Sequence, residues 1–245
     1  MPPLLSRFEL KYLISPAVAQ AMRRRLPIFA QPDGFGDEGH YQLVSLYLDS
    51  EDLHLCKQTM RGEKNRFKLR IRSYADDPDE PVFLEIKSRI DGVIHKRRTP
   101  VSRSRAASLL HPEQLPQHAE NEDVAGLARF VAMKEAVSAF PVLKVKYHRE
   151  AWEAAGGEPV RVTFDTDLKE AVTHHADFSL GDGEFESVLT DGVILEIKFS
   201  ERCPSWVQSM IHDFDLQRTS VAKYVLSINH AMSGANPFLL MGALQ

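Results

Sequence analysis

Cysteine is scarce in this 245-residue chain, with only Cys56 and Cys203 present. The two stand far apart and form no CxxC pair, which speaks against a disulfide framework or a zinc site and fits a reducing compartment. No apolar run approaches the ~20 residues that cross a bilayer, and FLLMGAL near the C-terminus is too short to do so. The opening MPPLLSRFELKY reaches charge within a few residues and lacks the apolar stretch of a signal peptide. A cytoplasmic protein without direct membrane insertion is expected. Basic excess is lacking too: 30 Lys and Arg against 34 Asp and Glu leave a formal net charge of −4, which does not suit a general nucleic-acid binder. There is no GxxxxGK[ST] loop, and no GxSxG or Cys/His arrangement for covalent catalysis. Low-complexity tracts and fixed-period repeats are missing as well.

What is there reads as one globular domain spanning 1–245. Two segments have loop composition, 31–40 (QPDGFGDEGH) and 111–121 with its two prolines, and neither is long enough to force a domain boundary. Strand signals dominate, at 7–14, 44–49, 66–74, 82–90, 92–101, 143–150, 160–169 and 193–199. Asp91-Gly92 is a two-residue hairpin turn between the fourth and fifth of these. Helices are expected at 16–26, where Ser15 is an N-cap and Pro16 the first helical residue. Others are expected at 51–60, 104–110, 123–139, 204–214 and 220–232.

The strands alternate apolar residues with full charges. Arg66, Lys68, Arg70 and Arg72 share one face, while Phe67, Leu69 and Ile71 share the other. Glu9 and Lys11 oppose Phe8, Leu10 and Tyr12; Glu85 and Lys87 oppose Leu84 and Ile86; Glu196 and Lys198 oppose Leu195 and Ile197. Arg161, Thr163 and Asp165 repeat the pattern against Val162 and Phe164. For any single strand a solvated charged face suffices, and such faces also protect sheet edges. Across several strands, rows of Arg and Lys side by side would repel one another on an open sheet. The alternative is an α+β fold: an antiparallel β-barrel forming a charged tunnel, flanked by helices on its apolar exterior. A basic interior makes sense when a polyanion threads it, because Arg binds phosphate oxygens bidentately and Lys adds compact charge. Carboxylates among them suit Mg²⁺ or Mn²⁺.

In order, RFELKYLI, YxxxSLYLDS, RFKLRIR, VFLEIK, KYHREAW, VRVTFDTDL, VILEIK and a late AKY resemble the VTC domain family, the polyphosphate polymerase branch of the triphosphate tunnel metalloenzymes. The resemblance runs from about residue 7 to 230. It implies a β-tunnel that transfers the γ-phosphoryl group of ATP onto a growing polyphosphate chain and releases ADP. By motif, Lys11, Arg70, Arg72, Lys87, Arg149, Arg161 and Lys198 resemble the phosphate-gripping set, Tyr147 and Lys223 further phosphate contacts, and Glu196 the metal-binding glutamate. The implied partners are ATP, polyphosphate, a divalent ion (Mn²⁺ or Mg²⁺) and a possible membrane protein. The family often carries a second lysine three residues before the last one; here that position is Ser220, with Arg218 nearby. Strict alternation opposes Tyr147 and Arg149 to Lys144, Lys146 and His148, and the resemblance puts Tyr147 and Arg149 inside.

Other residues read differently. Lys96 stands as either a tunnel or a surface residue, while Arg97 and Arg98 read as solvated. Asp165 and Asp167 read as strand-end turn residues ahead of additional metal ligands, 23–25 as an exposed arginine run, and His174-His175 as surface loop ahead of a metal site. Two other functions remain open. One is a metal-dependent triphosphatase, whose relatives carry a longer ExExK where this chain has Arg7 in place of the first Glu. The other is a non-catalytic polyphosphate-binding module, which would need no metal ligand.

Overall fold

Alternating apolar and charged residues become long antiparallel strands in the computed structural model, which describes residues 7–91, 93–110, 123–157, 159–181, 185–189 and 191–234. Along the chain these are β1 (Arg7–Ile14), α1 (Pro16–Arg25), β2 (Ala30–Pro32), β3 (His40–Asp49), α2 (His54–Met60), β4 (Arg66–Ser73), β5 (Val82–Ile90) and β6 (Val93–Val101). There follow α3 (Arg103–Ser108), α4 (Val124–Glu135), β7 (Phe140–Ala154), β8 (Arg161–Val172), β9 (Glu186–Leu189), β10 (Val193–Ser200), α5 (Ser205–Asp213) and α6 (Lys223–Gly234). The class is α+β. The residues group into two compact units, one drawn from Met1–Tyr41, Tyr147–Leu168 and Leu189–Ala222, the other from Gln42–Lys146, Lys169–Val188 and Lys223–Gln245.

In the first unit β1, β10 and β8 pair antiparallel in that order. The register sets Lys11 opposite Glu196 and Glu196 opposite Thr163, then Glu9 opposite Lys198 and Lys198 opposite Arg161. The other face of these strands supplies Tyr12, Phe164, Leu195 and Ile197 to a core completed by Met22 of α1 and Met210 of α5. Helix α1 starts where the sequence calls for it: Ser15 Oγ accepts from the Val18 N–H at 3.3 Å, and Pro16 needs no donor there.

In the second unit β3, β4, β5 and β6 form an antiparallel meander. One row reads Tyr47, Arg70, Glu85, Arg98 and the next along reads Lys68, Lys87, Lys96. Leu46, Leu69, Ile71, Leu84 and Ile86 fill the opposite face against Leu55 of α2 and Phe130 of α4. Ile90 pairs with Val93, so the β5–β6 loop has two residues, with Asp91 in the left-handed region at φ 47°. Gly92 lies outside the described residues, as does the 111–121 segment.

The expected barrel is not what the pairings form. Among the described residues the sheet is open at β1 and at β6. β6 has the character of an edge: residues 93–98 are exposed, and Pro100 lacks the N–H that a further strand would need. Strand 143–150 is longer than expected, running 140–154, and β8 continues to residue 172. The short β2 and β9 were not anticipated, because three or four residues show no alternation to read. No helix among the described residues is long and apolar enough to cross a membrane.

Candidate functional site

Each unit has one charged sheet face, and each face is built round a buried carboxylate. In the second unit it is Glu85, 1% exposed. Arg70 Nη2 lies 2.6 Å from Glu85 Oε2, Lys96 Nζ 2.7 Å from Oε1, Arg98 Nε 3.7 Å and Arg72 Nη1 3.9 Å away. Burial pushes the Glu85 carboxyl up, but Arg70, Arg72 and Lys96 outweigh it and hold the group well below the usual range. The Lys96 pKa is lowered, first by partial desolvation of its ammonium end and then by Arg70 and Arg72, with Glu85 opposing. One carboxylate among four cations leaves this face strongly positive. The neighbouring row sets Lys68, Lys87 and Lys96 side by side. Arg72 Nε also donates to Ser45 Oγ at 3.1 Å, and Arg70 Nη1 to Tyr47 Oη at 3.1 Å.

In the first unit the carboxylate is Glu196. Lys11 Nζ donates to Oε1 at 2.7 Å, Lys198 Nζ to Oε2 at 2.9 Å, and Arg149 Nη2 lies 3.9 Å away. Glu9 joins the group at 3.6 Å from Lys11 and 3.5 Å from Lys198. Arg149 grips Asp165 with two hydrogen bonds of 2.6 and 2.7 Å, and its Nη2 reaches Tyr147 Oη at 3.4 Å. Burial lowers the Arg149 pKa, but Asp165, Tyr147 and Glu196 outweigh it and raise it well above the usual value. Arg161 pairs with Asp33 and donates to Tyr41 Oη at 3.2 Å. A cavity of about 460 Å³ in the same unit is lined by residues that include Arg23, Tyr41, Arg149 and Trp152.

The structure therefore brings Lys11, Tyr147, Arg149, Arg161, Glu196 and Lys198 together in one unit, and Arg70, Arg72, Lys87 and Lys96 in the other. Lys223 opens α6 and is buried, next in the chain to Tyr224. Arg218 is exposed, and its backbone bridges to Tyr12. Lys144 and Lys146 are held elsewhere, by Asp177 at 2.6 Å and by the Leu180 carbonyl at 2.9 Å.

Several readings change. Arg98 is not simply solvated: it shares the face of Lys96 and lies over the Phe83 ring at 3.6 Å. Its parity with Lys96 was the available signal. Asp165 is a buried strand residue rather than a turn, because β8 continues past it. Arg23 is no free surface charge, since Nε donates to Glu150 at 2.5 Å and the guanidinium lies over Phe164.

A divalent ion needs oxygen donors, and the Glu196 group supplies two carboxylates in reach of the same lysines. Opposite Glu196 in the register, the Thr163 hydroxyl is buried and has no hydrogen-bond partner among the described residues. That donor set fits Mg²⁺ or Mn²⁺ when phosphate oxygens complete the shell, the usual manner of Mg²⁺ binding. A separate group, Glu170, Glu186 and His230 of the second unit, places three potential ligand atoms within 4.8 Å of one another. The sequence reading did not anticipate it.

A family model described as the VTC domain matches residues 6–232. The chain belongs to the VTC domain family. Solved structures resemble this VTC domain at the level of fold. A candidate adenylate cyclase from Bacillus halodurans matches with a TM-score of 0.52 at 14% identity, covering 89% of this chain and 94% of that one. The PH1819 protein from Pyrococcus horikoshii OT3 matches with a TM-score of 0.48, also at 14% identity, covering 91% and 99%. No curated protein matches significantly.

Proposed function

We propose that this VTC domain is a metal-dependent phosphotransferase that moves the γ-phosphoryl group of ATP onto a growing polyphosphate chain, acting as a single cytoplasmic domain. The observation that carries the reading is the face round Glu85, where four cations share one carboxylate; round Glu196 three cations meet the carboxylates of Glu196, Glu9 and Asp165. An acceptor phosphate oxygen bonds to Pγ as the Pγ–O bond to the β-phosphate breaks, and ADP leaves with that electron pair. Such transfer asks mainly for positioning and charge neutralisation. In the second unit Arg70 and Arg72 neutralise phosphate oxygens with Lys87, Lys96 and Lys223, and in the first Arg149 and Arg161 do so with Lys11, Lys198 and Tyr147. The acceptor phosphate is already anionic, so no protein base is required. Glu196, with Glu9 beside it, would hold the divalent ion, which when bound offsets charge on the phosphate oxygens. In the free protein Lys11 and Lys198 take that place, and an incoming phosphate draws them off the carboxylates.

The test is incubation of the purified protein with ATP and Mn²⁺, resolving products by gel and ³¹P NMR. Long polyphosphate with stoichiometric ADP, lost in Arg70→Ala and Glu196→Ala, is expected. Orthophosphate without polymer would make the protein a triphosphatase instead, and tight polyphosphate binding without turnover would leave a binding module.

A further inference from the structure

A buried chain of contacts in the second unit ends on Arg70. Asp49, at the end of β3 and 0% exposed, accepts from the Leu55 and Cys56 N–H groups at 2.8 and 2.9 Å. Tyr224 Oη donates to the same carboxylate at 2.7 Å. The Tyr224 ring stacks on Tyr47 with centroids 4.4 Å apart and planes 12° from parallel. Tyr47 Oη in turn accepts from Arg70 Nη1 at 3.1 Å, while the rest of that guanidinium holds Glu85. Both rings are almost wholly buried, Tyr47 at 5% and Tyr224 at 2% exposed. Tyr224 also directly follows Lys223, so the bond to Asp49 pins the first turn of α6 against β3.

We propose that Tyr47 and Tyr224 are positioning residues for phosphate binding, Tyr224 by anchoring the start of α6 and with it Lys223, Tyr47 by setting the orientation and availability of Arg70. This rests on the reading of Arg70 and Lys223 as phosphate-gripping residues. The two phenols have opposite electrostatic surroundings. Burial and Asp49 raise Tyr224 well above the usual tyrosine value, so it stays a donor. Burial would raise Tyr47 too, but Arg70, Lys68 and Arg72 outweigh it and lower its pKa to about 8. The groups facing Tyr47 are those three cations of β4, Glu85 of β5 behind Arg70, Tyr224 of α6, and Asp49 of its own strand. As a neutral phenol, Tyr47 accepts one Arg70 hydrogen bond. As a phenolate it is an internal anion competing with phosphate for the same guanidinium. Bound phosphate favours the neutral phenol, so above pH 8 binding takes up a proton and affinity falls as pH rises.

The test is calorimetric titration of the full-length protein with metal-free tripolyphosphate, from neutral pH to about pH 9.5, for wild type, Tyr47→Phe, Tyr224→Phe and Arg70→Ala. The ratio of wild-type to Tyr47→Phe affinity cancels the ligand's own titration. That ratio is expected to fall by about 10-fold across the range, the linkage of one proton above its pKa. Tyr224→Phe keeps the stacked ring and loses the donor; it is expected to bind about 5–10-fold more weakly at neutral pH, the loss of one buried hydrogen bond. A ratio that does not change with pH overturns the role of Tyr47, and wild-type affinity in Tyr224→Phe overturns that of Tyr224. Should Tyr47→Phe not fold, near-ultraviolet tyrosinate absorbance of the wild type decides. One tyrosine ionising near pH 8 and shifting upward with tripolyphosphate supports the proposal, and no such ionisation overturns it. Unchanged affinity in Arg70→Ala would instead overturn the phosphate reading beneath it.

Discussion

Replacing Glu85 with glutamine removes the one negative charge that Arg70, Arg72, Lys96 and Arg98 share, while keeping its shape. The four cations do not weigh equally. Side chains of Lys96 and Arg98 are 45% and 37% exposed, so water screens them and each exposed pair is worth only ~0–1 kcal/mol. Arg70 and Arg72, at 18% and 5%, lose the charge that offsets their desolvation. Breaking a buried pair costs ~3–5 kcal/mol, and the retained amide oxygen favours the low end, about 3 kcal/mol. For a chain of this size that lowers Tm by about 6–12 °C. The same change leaves a more positive face, so tripolyphosphate should bind Glu85→Gln more tightly than wild type. At 100-fold over Kd it restores about 2.7 kcal/mol, nearly the whole loss. The assay is thermal unfolding of both proteins with and without tripolyphosphate, beside a direct affinity measurement. A wild-type Tm in the ligand-free variant would refute the assignment of Glu85 as the counter-charge of that face. Equal or weaker affinity in the variant would refute the claim that the face is built for a polyanion.

Two further outcomes are expected. Asp165→Asn removes the negative charge and one of the two oxygens that accept from Arg149, which is buried, and should cost about 3 kcal/mol in urea unfolding; a change under about 0.5 kcal/mol, the size of an ordinary surface substitution, would refute the pairing. The folded Glu85 carboxyl is held below its unfolded value by Arg70, Arg72 and Lys96 against the opposing effect of burial. Its contribution is therefore fully present above the unfolded pKa of ~4.3 and lost as pH falls from there through the folded value. Urea midpoints of wild type and Glu85→Gln should converge on acidification below about pH 4, and a gap that stays constant would refute it.

Much of the fold was legible because a strand has a period of two. Lys11 with Glu9, Arg70 with Arg72, and Glu196 with Lys198 could be put on common faces from spacing alone, and the Asp91 turn announced the β5–β6 hairpin. The motifs that resemble the VTC family could be placed in order for the same reason. Short segments without alternation, β2 and β9, gave no such signal. Nor did the open edge at β6, which depends on what pairs with a strand rather than on its own residues.

By itself, then, the sequence determined which side chains share a face, since that follows from the geometry of a single strand. Only the tertiary structure decided which charges meet. Glu85 becomes the partner of Arg70 and Arg98, and Glu196 that of Lys11, because strand register sets them opposite one another. Asp165 turns from a strand-end residue into the buried partner of Arg149 because β8 continues beyond it. Register depends on all the strands packing their apolar faces at once, and a shift of one residue would turn every charge to the other side.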